Sequence, residues 1–213
     1  MDGILDLFNT DLGKSIINGV SQQTNQPHDK TKDILTMALP LMTQAMKNNA
    51  QSPQGAEGLL NALNNHHDTG LLDDLEGLFK GGVDQNVLTD GEKILGHVLG
   101  NKQQNVTNVL GRQSGIDTST IANILKVAAP ILMGYLAKQS RQSNVSGSSD
   151  LSDMLGGLLG GSSAHKQQDF LTSILDADGD GSAIDDIAGM VLGNNKTKGG
   201  LGGMLGDILK GNT

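Results

Sequence analysis

The sequence predicts an all-α fold in which a duplicated helical unit, packed about a pseudo-twofold axis, is followed by a Gly-rich linker and a small helix-loop-helix module. Three observations lead there. The 213-residue chain holds three Phe, one Tyr and no Trp. Its core must therefore be Leu, Ile, Val, Met and Ala, which suit helix packing better than a sandwich or barrel. Apolar residues recur at helical spacing and no stretch sustains period-two alternation. The chain also matches itself without gaps at an offset of 90 residues, GVSQQTNQPHDKTKDILTMALPLMTQAM from Gly19 lying over VLGRQSGIDTSTIANILKVAAPILMGYL from Val109.

The elements follow in order. From Asp2 to Val20, the residues Ile4, Leu5, Phe8, Leu12, Ile16 and Val20 mark a helix. Ile34, Met37, Ala38, Leu41 and Ala45 form one face of the next long helix; Ile124, Val127, Ala128, Ile131 and Tyr135 form that of its copy. Pro40 and Pro130 fall at matching places, each marking either a kink or the N1 position of a new helix. Ser52 followed by Pro53 opens a helix carrying Leu59, Leu60 and Leu63. Helix starts are also signposted at Thr89 or Asp90 before Glu92, and at Asp117 to Thr120 before Ile121.

After Gln142 the composition changes. The expected division is a helical domain at 1–142, a Gly/Ser/Leu-rich linker with a short helix at 143–165, a helix-loop-helix at 166–193 and a Gly-Leu tail helix at 194–213. The thirty glycines are about twice the usual share and concentrate in Gly-Leu segments. Two of these match at an offset of 50 residues: Leu151, Met154, Leu155, Leu158 and Leu159 lie over Leu201, Met204, Leu205, Ile208 and Leu209. Interior glycines, at about 1 kcal/mol each, leave such a helix unstable alone. Each must dock on its own chain or on a neighbour.

Charge and termini narrow the function. A net charge of −8 without a basic stripe argues against a sequence-independent grip on nucleic acid or anionic lipid. The amino terminus has no signal-peptide h-region, and the longest apolar run, Val127 to Ala137, is shorter than the ~20 residues of a membrane span. The expected address is the cytoplasm, with export by an uncleaved route as the alternative. Absence of cysteine excludes disulfides, thiolate metal sites and a Cys nucleophile.

The chemistry concentrates in LDADGDGSAIDDI. Calcium takes about six to eight oxygen ligands in flexible geometry, and D-x-D-x-D-G supplies carboxylates at alternate positions before a glycine at the sharp turn. Asp176, Asp178 and Asp180 occupy loop positions 1, 3 and 5, Gly181 position 6, and the Ser182 carbonyl position 7. The bidentate Glu expected at position 12 is replaced by Ile187. Ser182 and Asp185 have the spacing of a capping box, which makes Asp186 a better candidate than Asp185 to close a shortened, EF-hand-like loop. The competing reading is a solvated turn at a helix start. Three Asp within five residues repel by about 1 kcal/mol per close pair at surface-like dielectric, a cost a plain turn has no need to carry. Magnesium suits the loop less well, because it demands stricter octahedral geometry.

Other clusters carry less. Adjacent His66 and His67, before Asp68, point about 100° apart on a helix and read as a surface turn. His97 lies near an apolar helix face and reads as a hydrogen-bonded structural histidine. GLFKGG and GGLLGG lack the strand-turn-helix context and the Lys-Ser/Thr ending of phosphate loops.

In DLGKSIINGVSQQT, ILTMALPLM, GAEGLLNAL, GVDQNVLTDGEKILGHVLG and IDTSTIANILKVAAPILMGYL the chain resembles the YidB-like family of bacterial proteins, over roughly its first two thirds. The acidic loop and Gly-Leu tail resemble the longer members. The resemblance implies an all-helical protein of unknown role and supplies no catalytic residue. The expected function is that of a non-catalytic, calcium-binding protein acting by homo-oligomerisation or partner docking through its Gly-Leu helices. The alternatives are an enzyme or small-ligand carrier with a polar-lined pocket between the helical repeats, near His97 or Tyr135, against which a dry Leu/Met/Ala interface there would count, and a membrane-surface protein.

Overall fold

A computed structural model of the chain describes residues 3–65 and 70–160. Among these, every regular element is helical. Two long helices make the centre: α2, His28–Asn49, and α8, Thr118–Gln142. Both run unbroken through their prolines, so neither Pro40 nor Pro130 starts a new helix. The middle of each is buried on every side, Leu39 to Met46 in α2 and Val127 to Ala137 in α8, as expected of helices enclosed by others. By length and composition α8 could cross a membrane, but 78% of its most apolar window is buried inside this domain.

Around this pair lie α1, Asp11–Thr24; α3, Pro53–Asn65; the short α4, Gly70–Asp73, and α5, Leu75–Phe79; α6, Gln85–Leu99; and α7, Gln103–Ser114. Helix α1 packs on both α2 and α8, and α7 on both α8 and α2. The α1–α2 and α7–α8 elbows are built alike. Asn25 and Gly115 are left-handed, with φ of 51° and 69°, and the next amide returns to the helix just ended: Gln26 to the Ser21 carbonyl at 3.1 Å, Ile116 to the Gly111 carbonyl at 3.2 Å. Across the domain, the Lys30 ammonium donates to the Ser114 carbonyl at 2.8 Å.

The elbow into α8 is capped as its sequence predicts. One oxygen of the Asp117 carboxylate accepts from the Thr120 amide at 2.9 Å and the other from the Thr120 hydroxyl at 2.7 Å. Two other starts differ from expectation. The segment from Asp2 to Val20 is not one helix: a 3-10 turn at Asp6–Asn9 ends before Thr10, whose hydroxyl oxygen accepts from the Gly13 amide at 3.1 Å to open α1. Gly13 also lies so close to the Leu7 carbonyl that a Cβ there would overlap it. Helix α6 begins at Gln85, with Asp84 as its cap at 2.7 Å from the Asn86 amide. Thr89, expected to start it, is inside the helix and returns its hydroxyl to the Gln85 carbonyl.

The first Gly-Leu segment forms α9, Ser148–Leu158. It lies against α2 and α3 of its own chain, with a smaller contact on α8.

Candidate functional site

Two neighbouring features of this framework have the character of binding surfaces: the seat of α9, and a cleft on the other flank of α3. The seat explains why a glycine-rich helix is stable here. Leu151, Met154, Leu155 and Leu158, spaced i, i+3, i+4, i+7, are all at or below 2% exposure, and each such side chain contributes roughly 1.5–3 kcal/mol by leaving water. Leu159, the next apolar residue, is only half-buried. At the far end, the Leu158 carbonyl accepts from the Ile4 amide at 2.7 Å. At the near end, the Asp150 carboxylate accepts from the Ser146 amide and hydroxyl, both at 3.0 Å, and from the Gly147 amide at 3.2 Å. These bonds hold the Asp150 carboxyl below the usual carboxylate range, the Ser146 amide contributing most.

The cleft runs between α3 and α6 and encloses about 640 Å³. From α3 come Gly55, Gly58, Leu59 and Ala62; from α6, Ile94, His97 and Val98; Met46 of α2 and Met133 of α8 complete the apolar lining. Four of the polar residues at its edge are paired, while Gln54 and the His97 imidazole are exposed there. Lys93 pairs with Asp90 at 3.1 Å. The Asn49 amide donates to the His97 carbonyl at 3.1 Å and to the Val98 carbonyl at 3.0 Å, closing the end of α6. The Ser52 hydroxyl donates to the Asn49 carbonyl at 3.0 Å and accepts from the Gly55 amide at 3.1 Å, opening α3. The result is a solvent-open, mainly apolar trough with Gln54 and His97 at its edge, chemically suited to an aliphatic face or ligand.

His97 thus departs from its expected place. Its imidazole is exposed at the cleft edge, and it is the His97 main-chain carbonyl that takes the structural hydrogen bond. Tyr135 is buried within α8. The loop residues Asp176, Asp178, Asp180, Ser182, Asp185 and Asp186, the second Gly-Leu segment and the His66-His67-Asp68 cluster lie outside the described residues. Among the described residues, no group of three His, Asp or Glu side chains could hold a metal ion.

A pocket near His97 was among the expectations from the sequence, but the α3 wall of the cleft was not. Its visible trace was the set of small residues Gly55, Gly58 and Ala62 on one side of α3, overshadowed by Leu59, Leu60 and Leu63.

No curated protein and no solved structure matches the chain. The pattern of the DUF937 family, described as bacterial protein of unknown function, matches residues 6–139. The match spans α1 to α7 and nearly all of α8, and it ends before α9, so the α9 seat is made by helices of the matched region. With more than half of its length matched, the chain belongs to the DUF937 family of bacterial proteins.

Proposed function

We propose that this protein is a non-catalytic docking protein whose helical domain receives Gly-Leu helices and whose tail binds calcium. The observation that carries the reading is the seat of α9. A helix outside the family match, too glycine-rich to stand alone, is held against α2 and α3 by its own four buried aliphatic side chains. The tail then carries a calcium loop between two segments of this kind, with Asp176, Asp178, Asp180, the Ser182 carbonyl and Asp186 as ligands. Calcium would order the chain around the loop and set where the second segment is presented, to its own domain or to a neighbour. The helical domain itself reads as two copies of one unit. Supporting this are the starts of α2 and α8 at positions 28 and 118, the prolines at 40 and 130, the matching left-handed elbows, and the crossed packing of α1 on α8 and α7 on α2.

The cleft favours a second reading, a carrier for a small apolar ligand, because its apolar lining is drawn from α2 and α8 as well as α3 and α6. The calcium proposal is tested by melting the full chain in calcium and in chelator. A ligand that binds only the folded state raises its Tm by mass action, by the equivalent of about 2.7 kcal/mol at a hundredfold excess over Kd. Superimposed melts, unchanged in a variant with Asp178→Ala and Asp180→Ala, would reject it.

A further inference from the structure

The α3–α6 cleft has the chemistry of a helix seat. Helix-in-groove recognition uses apolar anchors at i, i+3, i+4 and i+7 against an apolar trough. The four deeply buried positions of α9 have that spacing. Leu201, Met204, Leu205 and Ile208 repeat it, with Met at the same second position. The α9 seat is filled, while α3 offers Gly58 and Leu59 to the cleft on its other flank.

We propose that the 201–209 segment docks in the α3–α6 cleft of its own molecule, so that α3 is held between two Gly-Leu helices. This inference rests on the docking function above. The tail has the reach: forty residues separate Gly160 from Leu201, at up to ~3.3 Å each when extended, against ~37 Å for the 25 residues of α8, the longest helix. Tethering favours the own-molecule seat over a second copy, because a linker that spans the sites gives effective concentrations on the order of millimolar. The volume, about 640 Å³, accommodates one apolar face and not a whole helix, which leaves the polar side, with Asp207, in water.

Absence of cysteine from the natural chain makes cross-linking clean. A Cβ added at Gly58 meets nothing within 4 Å, so the Cβ of Gly58→Cys fits at the cleft without overlap. The test is the full chain with Gly58→Cys and Met204→Cys, mildly oxidised in calcium at low protein concentration, beside a control with Lys32→Cys and Met204→Cys. Lys32 is exposed near the opposite end of α2. The expected result is an intramolecular disulfide, seen as a faster-migrating non-reduced monomer, forming at least tenfold faster than in the control. Adding Leu205→Asp should slow it to the control rate. Equal rates in the two pairs, or disulfide-linked dimers as the sole product, would overturn the proposal. Melts of the same preparation in calcium and in chelator separate the two ideas. A calcium shift without the cross-link rejects the tail seat alone; a cross-link without the shift rejects calcium alone.

Discussion

Gly91 of α6 lies directly against the carbonyl oxygen of Lys126 in α8, so closely that a Cβ at position 91 would overlap it. Residue 126 is also the one whose carbonyl loses its helical donor, because Pro130, four residues on, has no N–H. The most extensive helix contact among the described residues thus includes a point where a proline has opened a backbone acceptor and a glycine lets the helices approach. The Lys126 ammonium continues the contact, 3.2 Å from Glu92.

Gly91→Ala should therefore destabilise the domain by about 1–3 kcal/mol, the usual range for overpacking. Gly96→Ala, on the same helix but with open space at its Cβ, should stabilise by up to about 1 kcal/mol through helix propensity alone. Denaturant titration of both variants checks the contrast. Equal effects would show that α6 does not rest on that carbonyl.

Leu155→Ala should cost about 2–5 kcal/mol, as for a large-to-small change at a fully buried site. If α9 belongs to the cooperative unit, urea unfolding remains a single transition with a lower midpoint. A separate early transition would show that α9 detaches on its own.

The Asp117 carboxyl is held at about 2, below its ordinary 3.8, chiefly by the Ser119 hydroxyl and then by the Thr120 hydroxyl and amide. A depressed carboxylate pKa adds stability that is present above the unfolded value and is lost as pH falls through the folded one. Asp117→Ala should lower Tm at neutral pH, and the difference from the natural protein should shrink between about pH 4 and pH 2. NMR titration of the side-chain carboxyl carbon gives the pKa directly, and a midpoint near 3.8 would remove the cap from the account.

Much of the helical body was legible from local pattern. The long helices and the DTST cap depend on residues a few positions apart, and there the structure agrees with the sequence; the prolines, read as a kink or a helix start, start no helix. The start of α6 was misread because Thr89 and Asp90 resemble a cap, whereas Asp84, the residue that caps, stands one turn earlier after a glycine pair. The break at Thr10 was hidden by an apolar spacing that continues across it. The α3 wall of the cleft was illegible for a different reason. Gly58 acquires meaning only opposite Ile94 and Val98, some forty residues away, and short-range periodicity carries nothing about such a pairing. The apolar stripe of α9 was visible, but its choice of α2 and α3 was not.

Changing both Asp178 and Asp180 to Ala should remove calcium-dependent stabilisation while leaving the Tm in chelator unchanged, because in chelator these carboxylates hold no cation. A fall in Tm that is equal in calcium and in chelator would assign these carboxylates a role without metal.

Amide hydrogen exchange read by mass spectrometry, on the full chain in calcium and in chelator, tests the central claim most directly. The account predicts that 151–158 exchanges as slowly as α2 and α8 in both conditions. It predicts that 201–209 is protected in calcium, and that this protection is lost in chelator and in the Asp178→Ala, Asp180→Ala variant. Exchange of 201–209 at the unprotected rate in both conditions would contradict it.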